Sequence, residues 1–289
     1  MQDHQFMTHA LALGRRNQGQ CWPNPAVGCV IVKEGRVVSR GWTAIGGRPH
    51  AETQALKRAG ALAAGSTAFV TLEPCAHQGQ TGPCCDALIA AKVARVVIGA
   101  ADPDPRVAGR GVAALKAAGI EVIEGVEVEA AAWDHAGFFN RILHGRPHIA
   151  LKMAASFDGK SAMENGESQW ITGPLARRWV HGMRARYDAV LVGGGTVRRD
   201  NPNLTVRDIG IERQPVRVVV SNGADLPETH HLAQTAKSVP VWICHGRQAD
   251  KARLRAWKKP GAVLIACAAD KNKLDLRDVA QRLAQKGLT

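Results

Sequence analysis

The residues of this 289-residue sequence best suited to do chemistry lie between His50 and Cys85. His50-Ala51-Glu52 is followed by Glu73-Pro74-Cys75 and then, after eight intervening residues, by Cys84-Cys85. Zinc takes imidazole and thiolate ligands in a tetrahedron, and a catalytic zinc leaves its fourth position to water. His50, Cys75 and Cys84 supply three such ligands. Glu52 stands two residues past the histidine, close enough to reach that water without ligating. Zinc lowers the pKa of water to about 7, so a carboxylate beside it can take a proton and return it to a leaving group. Other readings stay open on these residues alone. Cys75 and Cys84 could be ordinary buried thiols, or a structural zinc could take His77 or Cys85 as a fourth ligand. Glu52 favours catalysis, because a structural site needs no general base.

The surrounding pattern predicts what holds these groups. Val27 to Val32 reads as a buried strand, Glu34-Gly35 as a turn and Val37 to Gly41 as a returning strand. A helix is expected from His50 through Arg58, and a strand at Ala68 to Leu72. Pro83 opens a helix from Cys84 to Ala91, because proline suits a first helical turn. Val93 to Ile98 is the next strand. This alternation predicts a layered α/β sheet. It sets His50 and Cys84 at helix N-termini, where the positive dipole end favours thiolate. The Gly- and Pro-rich stretch Ala76 to Pro83 can loop out and return Cys84 to the metal.

Seven cysteines, an odd number, argue against a disulfide framework. Cys21, Cys29, Cys244 and Cys267 are assigned to the core, and Cys85 to a helix face turned from the metal. No apolar run approaches the ~18–20 residues that span a bilayer, the longest being Ala262 to Ala269. The N-terminus lacks the pattern of a secretory signal, so a cytoplasmic protein without membrane partners is expected. Residues 1–146 hold 15 basic and 12 acidic side chains, a balance of +3, and residues 147–289 hold 23 and 13, a balance of +10. The second half therefore suits an anionic ligand. Thirteen aromatics (seven Trp, five Phe, one Tyr) are few for a protein that stacks single-stranded bases, so no nucleic-acid partner is expected.

The His-x-Glu and Pro-Cys pieces are similar to those of the zinc-dependent deaminases. Pro23-Asn24-Pro25-Ala26-Val27-Gly28, His50-Ala51-Glu52, Thr71-Leu72-Glu73-Pro74-Cys75 and Gly79 to Leu88 resemble the deaminase half of the bifunctional deaminase/reductase family of riboflavin biosynthesis. Asp102-Pro103 and Val107 to Gly111 also fit, and the long gap between the cysteines is a feature of that family. Leu151 to Gly159 resembles the first strand and turn of its reductase half. Gly166 to Thr172, Gly193 to Val197 and Asp200 to Arg207 match as well.

The resemblance implies a cytidine-deaminase-like αβα layered domain over 1–145 and a dihydrofolate-reductase-like α/β domain over 147–289. It implies zinc on His50, Cys75 and Cys84, with Glu52 as proton shuttle. It implies NADPH bound by Ala154, Trp170, Thr196 and Asp200, and a phosphoribosylated pyrimidine met by Ser168, Arg184, Leu204 and Arg207. Lys152 is a further candidate for the ribose phosphate. The implied chemistry is hydrolytic deamination of 2,5-diamino-6-(5-phosphoribosylamino)pyrimidin-4-one, then reduction of its ribose, in a homodimer joined through the reductase half. Alternatives are a deaminase with a non-functional reductase half, or a nucleic-acid base deaminase.

Four residues depart from the family pattern. Thr43 and Gln54 stand where histidines are expected, Gln80 where an arginine is, and Gly82 where a proline is. Thr43 and Gln80 are expected to border the substrate. The family also continues several tens of residues past the point corresponding to Thr289, with a strand bearing a carboxylate and a glycine-rich loop for the cofactor phosphates. An incomplete reductase sheet is therefore expected here.

Overall fold

A computed structural model of the chain describes residues 2–78 and 82–289. They form two compact units, one of residues up to Pro147 together with Leu283–Thr289, the other His148–Arg282.

The first unit runs α1 (Gln2–Gly14), β1 (Gly28–Lys33), β2 (Arg36–Trp42), α2 (Ala51–Ala59), β3 (Thr67–Leu72), α3 (Cys84–Ala90), β4 (Arg95–Ala100), α4 (Arg110–Ala117), β5 (Glu121–Glu124), α5 (Val128–Asp134) and α6 (Ala136–His144). Its five strands lie in the order β2-β1-β3-β4-β5. β1 is antiparallel to both neighbours, while β3, β4 and β5 are parallel. The sheet is thus mixed, built on a hairpin that turns at Glu34-Gly35 and two crossovers.

Two glycines set the layers. A Cβ on Gly28 would stand 1.8 Å from the Ala10 carbonyl oxygen of α1, and one on Gly41 would stand 2.1 Å from that of Ala51 in α2. Gly41 pairs with Cys29, the neighbour of Gly28, and successive residues face opposite sides of a sheet. So α1 and α2 cover opposite faces, and both lie closer to the sheet than any side chain would allow. The buried core runs through Val30, Ile31, Phe69, Val70, Val97, Ile98 and Leu115. The β-branched residues on the central strands suit a pleat covered on both faces.

The second unit holds α7 (Pro174–Arg186), β6 (Ala189–Gly193), α8 (Gly194–Asp200), β7 (Val216–Val220), α9 (His231–Gln234), β8 (Val241–Gly246), α10 (Lys251–Lys258) and β9 (Val263–Cys267). The chain then passes through a short hairpin into α11 (Leu276–Gln285). β6 to β9 form a parallel sheet in sequence order. Its core gathers Val197, Leu204, Val219, Ile243 and Trp257. Arg217 is fully buried on β7 and donates to the carbonyls of Asn203, Thr235 and Val239 and to Thr235 Oγ1. Burial lowers its pKa to about 10.

The expected strand at Leu151 is not formed. The turn at its end is present, with Gly159 N–H donating to the Ser156 carbonyl at 2.9 Å. The stretch before it belongs to no ladder, because no strand of the described residues pairs with it. Ile149, Leu151 and Met153 are 70%, 84% and 70% exposed.

His135 joins α5 and α6 and is 2% exposed, with Nε2 3.1 Å from Thr71 Oγ1. Thr71 Oγ1 also accepts the Gly28 N–H. Burial holds the imidazole pKa down, from 6.5 to about 4. The folded state therefore needs His135 neutral. The stability this confers is full above pH 6.5 and drains away as the pH falls toward 4. Between an ordinary 6.5 and the buried value of about 4, this is worth about 3 kcal/mol. Urea unfolding of His135→Gln between pH 7.5 and 4.5 is expected to lose less stability than the parent by up to that amount.

Candidate active site

His50 is the N-cap of α2, which places Glu52 in the first helical turn, 4% exposed. Cys84 is the first residue of α3, after Pro83 at its N-cap. Cys75 follows β3 by three residues and lies against the same helix end. The Cys84 N–H donates to Cys75 Sγ at 3.3 Å and the Cys85 N–H to the Cys75 carbonyl at 3.2 Å.

These placements bring three ligand atoms together. His50 Nδ1 is 3.3 Å from Cys84 Sγ and 3.8 Å from Cys75 Sγ, and all three atoms lie within 4.8 Å of one another. Ligands around a tetrahedral zinc stand about 3.5–3.8 Å apart, given Zn–N near 2.0 Å and Zn–S near 2.3 Å. The donor set fits. The Cys75 pKa is held down to about 4 by hydrogen bonds from Cys84 and from His50. That of Cys84 is pushed far up by its bond to Cys75 and by burial. Both thiols give up their protons when a divalent cation binds. The His50 pKa is raised by its Cys75 bond, and that of Glu52 by burial. Among the described residues His77 is outside the cluster. So is Cys85, whose thiol lies in the core 3.5 Å from Asp86 Oδ1. Neither completes a structural four-ligand site. Cys21, Cys29, Cys244 and Cys267 are all buried.

Glu73 is a residue that sequence reasoning missed. Its carboxylate is 4% exposed and accepts four backbone N–H groups, from Asp102 (3.4 Å), Gly109 (3.1 Å), Gly111 (3.1 Å) and Val112 (3.3 Å). Three of them open α4, where the helix dipole favours an anion. A Cβ on Gly111 would stand 2.1 Å from the Pro74 carbonyl oxygen, so α4 presses directly on the residue before Cys75. The available signal was an acidic residue directly after an apolar strand, where charge is buried only with partners.

A cavity of about 100 Å³ opens beside the cluster. His50, Glu52 and Cys75 line it together with Asn24, Thr43, Arg48, Asp102, Arg106 and Arg141. Thr43 lines it as expected, its hydroxyl accepting the Val27 N–H at 2.9 Å. Gln54 instead donates to the Trp42 and Pro49 carbonyls. Gln80 lies outside the described residues, and Gly82 has open space around it.

In the second unit Lys152, Ala154, Ser168, Trp170, Arg184, Thr196, Asp200 and Arg207 line one cleft of 1390 Å³. Leu204 does not. Its side chain is 5% exposed in the core, packed with Val197 and Val219. The matching stretch from Gly193 to Val197 is the start of α8, with Gly193 at its N-cap. Sequence reasoning also missed Arg177, whose guanidinium lies 4.2 Å from the Trp170 ring centre. It missed His181 too, which accepts the Arg207 N–H at 3.2 Å. Residues 177, 181 and 184 recur at helical spacing, and that was their signal.

Comparison with known proteins decides the family. Residues 1–100 match the cytidine and deoxycytidylate deaminase zinc-binding region, and residues 147–289 match the RibD C-terminal domain. The riboflavin biosynthesis protein RibD of Escherichia coli K12 is 48% identical over 246 residues, 81% of this chain and 67% of that protein. The chain belongs to the RibD family. The RibD of Actinobacillus pleuropneumoniae is 40% identical over 99% of this chain and 75% of its own length. A crystal structure from Thermotoga maritima, described as a diaminohydroxyphosphoribosylaminopyrimidine deaminase/5-amino-6-(5-phosphoribosylamino)uracil reductase, superposes with a TM-score of 0.86 at 36% identity. It covers 99% of this chain and 79% of that one, and Acinetobacter baumannii RibD gives 0.86 at 39% identity, 99% and 78%. Membership in the RibD family carries a cytidine-deaminase-like first domain, a dihydrofolate-reductase-like second domain and a zinc-binding deaminase site.

The Glu73 clamp has a measurable consequence. Glu73→Gln replaces one acceptor oxygen with an amide that faces N–H donors. Leaving buried donors unpaired costs about 1–3 kcal/mol, and losing the outer support of a metal ligand costs roughly 10–100-fold in metal affinity. Urea unfolding and competition with a chromogenic zinc chelator are expected to show both.

Proposed function

We propose that residues 1–145 catalyse hydrolytic deamination of a phosphoribosylaminopyrimidine with His50, Cys75 and Cys84 as zinc ligands and Glu52 as proton shuttle, and that residues 147–289 carry the NADPH-dependent reduction of its ribose. The observation that carries the reading is the convergence of one imidazole and two sulfurs beside a buried carboxylate that is not needed to hold the metal.

A zinc ion on the three ligands would supply the Lewis acidity that makes water a nucleophile near neutral pH. The chain's own residues do the rest. The start of α2 carries both His50, at its N-cap, and Glu52, two residues on in the first turn; both line the cavity, and the imidazole also lies against the two sulfurs. Glu52 takes a proton from the attacking water and gives it to the exocyclic nitrogen, which leaves as ammonia. Burial favours this exchange, since it brings the carboxylate pKa up toward the working pH. Asn24, Thr43 and Asp102 line the cavity beside Glu52 and are assigned to contacts with the ring.

In the second unit NADPH would supply the hydride. Lys152, Arg177, Arg178, Arg184, Arg199 and Arg207 line its cleft against Glu167, Asp200 and Asp208. That excess of cations suits two phosphorylated ligands at once. Ala154, Trp170, Thr196 and Asp200 are assigned to the cofactor, and Ser168, Arg184 and Arg207 to the substrate. A second reading is deamination without reduction. The unpaired segment at Leu151 favours it, because Lys152 and Ala154 stand on that segment and lack a ladder to fix them. No helix of the described residues is long and apolar enough to cross a membrane. We place the protein in the cytoplasm as a homodimer joined through the second unit, which sedimentation of the purified chain would test.

Ammonia release and NADPH oxidation, followed separately on the phosphoribosylaminopyrimidine, test the whole reading. Both signals are expected if both units work, and ammonia alone selects deamination without reduction. Glu52→Gln is expected to lower the rate of ammonia release by about 10²–10⁴-fold while zinc content stays at the parent's level. Retained activity in that variant would remove Glu52 from the chemistry.

A further inference from the structure

We propose that Arg106 is the side chain by which the deaminase site recognises the phosphate of its substrate. This rests on the reading of the first unit as a deaminase of a phosphoribosylated pyrimidine.

The cavity over the metal ligands measures about 100 Å³, of the order of the ~150 Å³ cavity that takes up a benzene ring. A pyrimidine ring fills it. The ribose phosphate must therefore project to the mouth, where a dianion needs a cation. Three arginines line this cavity, Arg48, Arg106 and Arg141. Arg141 Nη2 already donates to the Pro23 carbonyl at 2.9 Å. Arg106 is placed differently. Its side chain is 68% exposed, yet it is held by a carboxylate, that of Asp104, which is 8% exposed.

The arrangement orients the guanidinium. Nε donates to both Asp104 oxygens, at 2.9 and 3.0 Å, and Nη2 donates to Oδ2. Nη1 makes no such bond and remains open to an anion. The loop beneath is fixed in turn. The Asp104 N–H donates to Asp102 Oδ1 at 2.8 Å and the Arg106 N–H to Asp104 Oδ1 at 2.9 Å. Asp102 and Gly109, at the two ends of the loop, donate their N–H groups to Glu73. A surface arginine ordinarily loses rotamer entropy when it grips a ligand, and one already held in place loses less. An arginine pinned by a buried carboxylate over a loop that ends on the carboxylate beside Pro74-Cys75 is a preorganised anion contact at a fixed height above the metal site.

The test compares two substrates, the phosphoribosylaminopyrimidine and the same compound with its phosphate removed, on the zinc-loaded full chain. A hydrogen bond to a charged group is worth about 1.5–3 kcal/mol, which is roughly 10–100-fold. Arg106→Gln is expected to lower kcat/KM by that factor on the phosphorylated substrate, chiefly through KM. On the dephosphorylated one it is expected to match the parent within about twofold. Arg106→Lys keeps the charge but loses the fork, and is expected to fall between. Zinc content equal to the parent's shows that the variants retain the metal site. Equal losses on both substrates would make Arg106 a structural residue and overturn the proposal. So would a phosphate-dependent loss in Arg48→Gln or Arg141→Gln with none in Arg106→Gln. No ammonia from the parent chain with either compound would instead sink the deaminase reading, and this inference with it.

Discussion

The carboxylate of Glu73 is the joint of the first unit. A strand end, a helix start and a loop must meet there, and each brings backbone N–H groups that nothing else satisfies. One anion accepts four of them. An ionised carboxylate cannot be buried alone, and a helix N-terminus cannot be buried uncapped, so each resolves the other's cost. Two residues later the chain delivers Cys75, and Gly111 keeps α4 pressed against the intervening Pro74. The position of a metal-ligand sulfur is thus set by a hydrogen-bonded network rather than by packing alone. Such a network has a definite geometry, whereas apolar packing tolerates small slides.

The same logic explains why both other ligands sit at helix starts. An N-cap residue has extended backbone and a side chain free of the helix, so His50 can turn toward the sulfurs while Glu52 enters the helix behind it. Cys84 opens α3, whose first N–H groups point at Cys75. Charge on sulfur is favoured by those groups before any metal arrives. The close seating of α2 on the sheet, enforced at Gly41, fixes the height of this assembly.

Much of this was legible in the sequence, and the limits have a physical pattern. The strands at Val27, Val37 and Ala68 and the helices at His50 and Cys84 are local: periodicity, turn residues and Pro83 determine them. The α/β character follows from their alternation. Chain direction within the sheet was not legible, because antiparallel β1–β3 pairing is settled by contacts distant in sequence. Glu73 was invisible for the same reason, since its partners lie 29 to 39 residues away. Leu151 shows the converse. Its segment alternates like a strand, but a strand is a relation between two segments, and no partner strand stands among the described residues. Leu204 was named as a site residue by resemblance, and an apolar side chain beside a polar site finds the core when one is near.

The two units face anionic ligands in different ways, and the first has the harder task. In the second unit cations recur along α7 and around one cleft, and their fields add. As the proposed deaminase, the first must keep two thiolates beside a metal and a carboxylate able to exchange a proton, in a pocket also lined by Asp102 and Asp104. A bare arginine there would act on all of them at once, since charges in a weakly polar site interact over many ångströms. Pairing Arg106 with Asp104 changes how its field falls off. At a distance the pair is close to neutral and acts as a dipole, so Glu52 and the sulfurs feel little of it. At contact, Nη1 still offers its protons along a fixed line. An ion pair of this kind contributes little to stability. Its use is to let a cation stand near a proton-transfer site and be felt only by a ligand that touches it.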